Sequence, residues 1–269
     1  MTVRLRKNSN PFKGLLFILL VVIMPLMLTT FNLAGCSVFT SKPTPPAIEW
    51  DPSPEAVIIE AASPIKQYHA SLSPDLVRNY IPEGRVFGDG RIIWAVYAED
   101  GSRTVFEGYL TRDQMTDLLQ DFVDAGFFGW KEAYFSKLPY DNPPSDYLTV
   151  NLTSLSKTVR VTMAQPPDGY TELFDRISTG AGAEGKPFIP QNGTLILEET
   201  AEEALITWDQ ETYPLTLSQA TAGIPLEGEA LGAAWEIVNQ EPLAPPVVEI
   251  DGKAYRFFLL IPGLMYEPH

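Results

Sequence analysis

The chain has 269 residues, of which 45% are hydrophobic, 11% aromatic and 20% charged, a composition typical of one or two globular domains. Its formal net charge is -15. Because Arg4, Arg6, Lys7 and Lys13 precede Cys36 and no acid does, the remainder carries 15 basic and 34 acidic residues, a net charge of -19. This acidic surface, without a basic stripe, argues against nucleic acid as a partner.

Cysteine and histidine are scarce. Cys36 is the only cysteine, so an intramolecular disulfide is excluded. The only histidines are His69 and His269. A catalytic triad with a histidine base and a zinc site both need more of these side chains than the chain has. We therefore expect no such triad, no metal and no cofactor.

The first 36 residues have the layout of an export signal. Residues 1–13 are basic, residues 14–31 are almost entirely apolar, and Leu33-Ala34-Gly35-Cys36 follows at once. This segment resembles the signal of bacterial lipoproteins, whose box reads Leu, a small residue, Gly or Ala, then Cys. The resemblance implies cleavage between Gly35 and Cys36, removal of residues 1–35 and acylation of Cys36. The protein is then expected on the extracytoplasmic face of a membrane, held by its lipid.

An alternative is that residues 14–31 stay in the membrane as an uncleaved helix. Pro25, Thr29 and Thr30 argue against it, as does the adjacent box. Both interpretations place the rest of the chain on the same side, since the basic residues stay in the cytoplasm.

Residues 36–64 are rich in Pro, Ser, Thr and Ala, with prolines at 43, 45, 46, 52, 54 and 64. Such a stretch is typical of an extended, semi-stiff tether. Within it, the apolar run 56–62 fits either a brief helix or a strand that joins the domain.

Residues 77–180 are predicted to form a domain. Three β-favouring runs, 85–87, 91–97 and 103–109, are separated by Gly88-Asp89-Gly90 and by Asp100-Gly101. Asp-Gly between such runs is a strong hairpin signal, because Gly supplies the positive φ that the turn needs. The pattern therefore predicts a three-stranded meander.

A helix is expected from Thr111, which forms the pattern of a capping box with Gln114. Apolar residues recur at helical spacing from 115 to 123, and Gly126 supplies the stop. A second hairpin over residues 148–162 and a short helix over residues 169–178 complete the predicted domain.

Residues 80–179 resemble a family of domains of unknown function found in bacterial secreted proteins and lipoproteins. The matching positions are turns and core residues: Gly88-Asp89-Gly90-Arg91, Glu107-Gly108, Ala125-Gly126-Phe127-Phe128, Leu148-Thr149-Val150 and Lys157-Thr158-Val159. The resemblance implies a fold and brings no activity, cofactor or catalytic residue.

A smaller α+β unit is predicted over residues 190–265. We expect strands near 194–197 and 204–208, a helix over 229–239, and a closing hairpin of 247–250 with 254–261. The fold class is therefore α+β, with antiparallel hairpins and packed helices followed by this unit. Whether the unit forms a second domain or extends one sheet is left open by the sequence.

Three sequence patterns resemble ligand or catalytic sites, and the default interpretation of each is structural. The glycines of residues 180–185 have dinucleotide-binding spacing, but they follow a helix instead of a strand, so we interpret them as a linker. Asp141, Asn142 and Asp146 could bind calcium, although their spacing matches no known loop. Asp89 and Glu107 could form a glycosidase pair only if the fold placed them across a cleft.

Aromatic residues suggest the strongest binding hypothesis. Trp94, Tyr97, Trp130 and Tyr140, with Tyr134 nearby, could form a platform for a glycan or peptide, although Trp94 alternates with core positions and fits burial as well. We therefore expect a non-catalytic binding or structural module of the cell envelope, with an envelope protein or glycan as partner. The alternative is a carboxylate-dependent hydrolase of envelope or extracellular polymers.

Overall fold

The computed structural model describes residues 47–64, 78–137, 143–240, 242 and 244–264. All of them belong to one compact unit, Pro45–His269. Within the described residues, two sheets of mostly antiparallel strands and three α-helices form this unit, which confirms the predicted α+β class.

Sheet 1 has eight strands in the order β5-β7-β6-β1-β2-β3-β4-β8. Their bounds are β1 Val57–Ala62, β2 Gly84–Phe87, β3 Arg91–Tyr97, β4 Arg103–Tyr109, β5 Ala133–Phe135, β6 Ser145–Leu152, β7 Leu155–Thr162 and β8 Lys186–Pro187. β5 is parallel to β7, and the other neighbours are antiparallel. The predicted meander β2-β3-β4 and the hairpin β6-β7 are confirmed.

β1 lies in the middle of this sheet, paired with β2 on one side and β6 on the other. The run 56–62, which fitted a helix or a strand, is therefore a strand. The tether cannot extend to residue 64 as predicted, because Ile58, Ile59 and Ala61 are fully buried core residues. The folded part begins upstream of the predicted boundary.

Two helices, α1 Arg112–Asp124 and α2 Tyr170–Ser178, cover one face of sheet 1. The capping box of Thr111 and Gln114 is present, and α1 ends before Gly126, whose φ is 80°. A 3-10 turn over Phe127–Gly129 then directs Phe127 into the same core. The helix face is apolar because alternate residues of β1, β2, β3, β6 and β7 point into it.

Sheet 2 has five strands in the order β10-β12-β13-β9-β11. Their bounds are β9 Gly193–Glu199, β10 Ile206–Thr207, β11 Ile224–Leu226, β12 Val247–Ile250 and β13 Lys253–Leu260. β10 is parallel to β12. A 3-10 turn covers Leu217–Gln219, and the helix α3, Gly228–Gln240, packs with Leu231, Ala234 and Val238 in this core.

The two sheets share one core. Phe87, Ile93 and Val105 of sheet 1 belong to the same cluster as Leu197 and Phe257 of sheet 2. The segment predicted as a smaller unit therefore packs against the second face of sheet 1, and it forms its own sheet instead of extending the first.

No helix in the described part of the chain is long and apolar enough to cross a membrane. Residues 14–31, the alternative membrane helix, lie outside the described residues.

Candidate functional site

The predicted aromatic platform is not formed by the residues that the structure describes. Trp94 is only 7% exposed and stacks on Phe106 with ring centroids 5.6 Å apart, on the helix face of sheet 1. The loop of residues 180–185 covers it, since a Cβ at Gly185 would lie 2.5 Å from its ring. Trp94 is a core residue.

The other platform residues lie elsewhere. Tyr97 packs against the core between the two sheets, on the opposite face from Trp94. Trp130 is half-buried, with ring centroids 5.4 Å from Phe127 and 6.2 Å from Tyr170. The platform prediction is therefore wrong for these three tryptophan and tyrosine side chains, and Tyr140 lies outside the described residues.

The loop 180–185 has the geometry of a linker. It follows α2 and leads into β8, and Gly180, Ala181 and Gly182 all have positive φ. Because no strand leads into it and no helix starts from it, it lacks the frame that binds a pyrophosphate.

The predicted acidic pairs have structural partners. The carboxylate of Asp89 accepts a hydrogen bond from the backbone N–H of Arg91 at 3.0 Å, which closes its own turn. Glu107 lies 3.9 Å from Arg91 and 3.5 Å from Lys186. Of the suggested calcium ligands, Asp146 accepts a hydrogen bond from Ser63, and Asp141 and Asn142 lie outside the described residues.

A cleft of about 570 Å³ opens between the two sheets. Its floor is the face of sheet 1 turned toward sheet 2, and its wall is the end of β13 with the turn after it. The lining residues are Glu55, Val57, Glu60, Arg85, Thr149, Asn151, Thr194, Leu260, Ile261, Pro262 and Gly263.

A buried ion pair forms the floor of this cleft. Glu60 on β1 and Arg85 on β2 are register partners and are 5% and 6% exposed. The guanidinium Nε donates to a carboxylate oxygen of Glu60 at 2.7 Å, and another nitrogen donates to the carbonyl oxygen of Gly263 at 2.8 Å. This geometry satisfies both charges away from bulk water, the condition under which a buried pair is tolerated.

Neutral polar side chains continue the floor beyond the ion pair. Thr149 is the register partner of Glu60 on the side of β6, and its hydroxyl lies 2.9 Å from that of Thr158. The amide of Asn151 donates to the carbonyl oxygen of Val57 at 2.9 Å. The cleft thus combines hydroxyl and amide groups on one side with the apolar wall of residues 260–262 on the other.

A second polar cluster lies at the end of β1. Ser63 donates its backbone N–H to Glu83 at 2.6 Å and its hydroxyl to Asp146 at 2.6 Å. The hydroxyl of Tyr80, which is fully buried, also bonds Glu83. Ser63 therefore donates hydrogen bonds to two carboxylates at this end of β1.

Three tyrosines near this cluster have raised pKa values. Burial, reinforced by the charge of Glu83, raises the pKa of Tyr80 well above 10. Burial also raises the pKa of Tyr97 to about 12, although the nearby Arg103 opposes the shift. The hydroxyl of Tyr170 is buried without a hydrogen-bond partner among the described residues, and its burial raises its pKa.

Glu60 and Arg85 are not among the site residues predicted from the sequence. A signal was present, because Glu60 interrupts the apolar run Val57–Ala62 and Arg85 sits between the small and apolar residues of β2. A charge inside a buried strand indicates a paired partner. What the sequence lacked was the pairing of β1 with β2.

Within the described residues, no group of three or more His, Cys, Asp or Glu side chains could hold a metal ion. Comparisons of the chain with protein-family models, curated proteins and solved structures found no match. The resemblance of residues 80–179 to a family of domains, and that of the N-terminal box to lipoprotein signals, therefore remain predictions.

The ion pair gives a stability prediction. Replacing one partner alone, by Glu60→Gln or Arg85→Met, is expected to lower the free energy of unfolding by about 3–5 kcal/mol, because it leaves a desolvated charge. The double variant Glu60→Leu with Arg85→Met should lose much less free energy of unfolding, because it leaves no unpaired charge. Urea unfolding of the purified domain measures all three. Equal losses in the single and double variants would contradict the prediction.

The tyrosines give a pH prediction. A phenol whose folded pKa exceeds its unfolded value of 10 stabilises the fold below pH 10, and this contribution is lost as the pH rises toward about 12 for Tyr97. Tyr97→Phe should therefore flatten the fall in the free energy of unfolding between pH 10 and 12. Tyr109→Phe, at an exposed tyrosine, is the matched control. If the free energy of unfolding falls equally steeply with pH in wild type and Tyr97→Phe, the raised pKa of Tyr97 is refuted.

Proposed function

We propose that this protein is a lipid-anchored, non-catalytic binding module on the extracytoplasmic face of a bacterial membrane, and that it binds an extended segment of an envelope protein in the cleft between its sheets. The observation that carries the binding site is the cleft over the Glu60–Arg85 pair. The anchor is supported by the box that ends at Cys36 and by the charged and apolar segments before it.

A lipid anchor fits the physical needs of such a protein. One acyl chain holds a protein to a bilayer only marginally, whereas two or three hold it stably, at about 0.8 kcal/mol per buried CH₂. The acylation implied at Cys36 supplies this number of chains on one residue. The domain can then stay water-soluble, as its high acidic charge favours.

The chemistry of the cleft favours a peptide over a glycan. An extended peptide carries backbone donors and acceptors that suit Thr149, Asn151 and Thr194, and apolar side chains that suit Leu260 and its neighbours. Sugar rings are usually bound against an exposed aromatic face. Among the described residues, those that line this cleft include no aromatic side chain.

The arrangement of the acids supports binding over hydrolysis. A glycosidase needs one carboxyl group that donates a proton and a second that acts across an open cleft. Glu60 is committed to Arg85, and Glu83 is 8% exposed and accepts hydrogen bonds from Ser63 and Tyr80. These two carboxylates are therefore engaged by neighbouring side chains of the domain.

The anchor is tested by intact mass spectrometry of the membrane fraction. We expect a chain that begins at Cys36 and carries acyl groups, and we expect Cys36→Ala to retain residues 1–35 without acylation. A wild-type chain that keeps residues 1–35 with a bare thiol would overturn the anchor.

The cleft is tested by photo-crosslinking in intact cells. A benzoylphenylalanine at Glu55 or Pro262, two exposed residues of the cleft lining, should give a discrete adduct, whereas the same probe at Asp117 or Glu172, on the exposed sides of α1 and α2, should give none. A peptide from the adduct, made synthetically, should bind Asn151→Trp at least about tenfold more weakly than wild type, since the indole fills the cleft.

Equal adducts at the cleft and control positions would refute the binding site. A saccharide adduct confined to the cleft positions would keep the site and overturn the proposed class of ligand.

A further inference from the structure

We propose that the part of sheet 1 formed by β5, β6 and β7 carries a binding site for the C-terminal carboxylate of a peptide whose last residue is apolar, with Arg160 as the anchor. The site lies on the same face of sheet 1 as the cleft. None of its residues lines the cleft, so this proposal stands whether or not the cleft binds a peptide.

Strand alternation places three side chains of the site together. Tyr134 on β5 and Val159 on β7 pack in the core under the helices. Their neighbours Phe135 and Arg160 therefore point to the other face of the sheet. Tyr147 on β6 is the register partner of Arg160 and points to the same face. Because β7 lies between β5 and β6, Arg160 has an aromatic neighbour on each adjacent strand.

The guanidinium of Arg160 is held in place by these rings and by two hydroxyl groups. Its Cζ atom lies 5.3 Å from the ring centroid of Phe135 and 5.6 Å from that of Tyr147, which is within the range of cation–π contacts. Its Nε donates to the hydroxyl oxygens of Ser145 at 3.2 Å and Thr162 at 3.0 Å, and both of these residues are buried. The side chain therefore needs little further ordering when a ligand binds, which favours affinity.

One edge of this guanidinium is left for a ligand. Its Nη2 donates to the hydroxyl of Ser145 at 3.2 Å, whereas its Nη1 makes no hydrogen bond with a described residue. Arg160 is half-buried, and it forms no ion pair with any carboxylate of the described residues. At such a position an anion gains charge-assisted hydrogen bonds from a cation that is already partly removed from water.

Arg160 differs in this respect from the other arginines in the described part of the chain. Five of those arginines pair with a carboxylate, namely Arg78, Arg85, Arg91, Arg176 and Arg256. Arg103 is buried and donates to oxygen atoms of Asn79 and Asn239, and Arg112 is exposed. Arg160 alone among them combines partial burial and a fixed geometry with a free Nη1.

The edge of Arg160 matches a carboxylate better than a phosphate. A guanidinium binds the two oxygens of a planar carboxylate through two parallel N–H bonds, and one positive charge balances one negative charge. A phosphate group carries more charge and more acceptor oxygens. The nearby hydroxyls of Ser145 and Thr162 already bond each other and Arg160, so they are poorly placed to donate to it.

The ring of Phe135 favours an apolar group next to that carboxylate. This ring is 59% exposed, although its centroid lies only 5.3 Å from the guanidinium. At the C-terminus of a peptide, the carboxylate and the last side chain are attached to the same Cα, so an apolar side chain can pack on the ring while the carboxylate binds Arg160. In aspartate or glutamate the carboxylate ends the side chain itself, and no apolar group shares its carbon.

The site is tested with N-acetyl-L-phenylalanine by saturation-transfer NMR on the full chain in detergent micelles, with empty micelles as the background. We expect a dissociation constant in the millimolar range. N-acetyl-L-phenylalaninamide, which lacks the charge, should bind at least about tenfold more weakly. N-acetyl-L-glutamic acid 1-amide, whose carboxylate is on the side chain, should also bind at least about tenfold more weakly.

Two variants locate the binding of N-acetyl-L-phenylalanine. Arg160→Lys keeps the charge and removes the planar fork, and Phe135→Ala removes an exposed ring without opening the core. Each should weaken binding at least about fivefold. Arg256→Lys changes an arginine that is already paired with Glu202, so it is the matched control and should leave binding unchanged.

Equal binding by wild type and Arg160→Lys, or no binding by wild type, would refute the site. If Arg160→Lys fails to fold, the comparison of wild type with Phe135→Ala decides in the same way. Displacement of N-acetyl-L-phenylalanine by an equal concentration of inorganic phosphate would make Arg160 a general anion site and would overturn the class of ligand. Equal binding of the glutamic acid amide would overturn the assignment to a chain end.

Discussion

The ion pair between Glu60 and Arg85 fixes the centre of sheet 1. The two residues face each other across β1 and β2, and both are buried. A shift of β1 by one residue would turn Glu60 to the helix face, among apolar side chains and away from Arg85. Because an unpaired buried carboxylate is strongly unfavourable, the pair selects one register for β1. The bond from Arg85 to Gly263 ties the turn after β13 to the same point.

This pair also marks a boundary on one face of sheet 1. On the β2-β3-β4 side, Phe87, Ile93 and Val105 are apolar, and sheet 2 packs over them. On the β1-β6-β7 side, the floor is polar, with Thr149 and Thr158 bonded to each other. Sheet 2 buries the apolar part because burial of apolar area stabilises the fold, and it stops where desolvating hydroxyl groups would offset that gain. The cleft is the space left at this boundary.

Local patterns predicted most of the elements. The capping box at Thr111, the Gly126 stop and the Asp-Gly turns each depend on neighbours within a few residues, and the structure confirms them. Pairing over long distances was not predictable. β1 pairs with β6, and the bond between Asn151 and Val57 joins residues 94 positions apart. β5 and β8, with three and two residues, are too short to show any alternation.

The same distinction explains the candidate sites. From the sequence, Trp94 could be a platform residue. In the structure it is covered by the loop that contains Gly180 and Gly185, which is a contact between distant parts of the chain. In the sequence, nothing connects Glu60 with Arg85, because their contact depends on the pairing of β1 with β2. The cleft depends on both sheets, so no single stretch of sequence contains its pattern. What the sequence does contain is the box at Cys36, whose resemblance to a lipoprotein signal depends on adjacent residues alone.

The path of the chain links the proposed anchor to the proposed site. After Trp50, whose indole donates to the carbonyl oxygen of Gly88, the chain runs into β1, which has hydrogen-bonded neighbours on both sides and carries Glu60 at the cleft floor. A force on the lipid anchor would act first on the contacts of Glu49 and Trp50 and only then on the strand. Because β1 is a central strand, with ladders to β2 and β6, its displacement would break two rows of backbone bonds at once. The contacts of Glu49 and Trp50 thus protect the pairing of β1 and, with it, the position of Glu60 opposite Arg85.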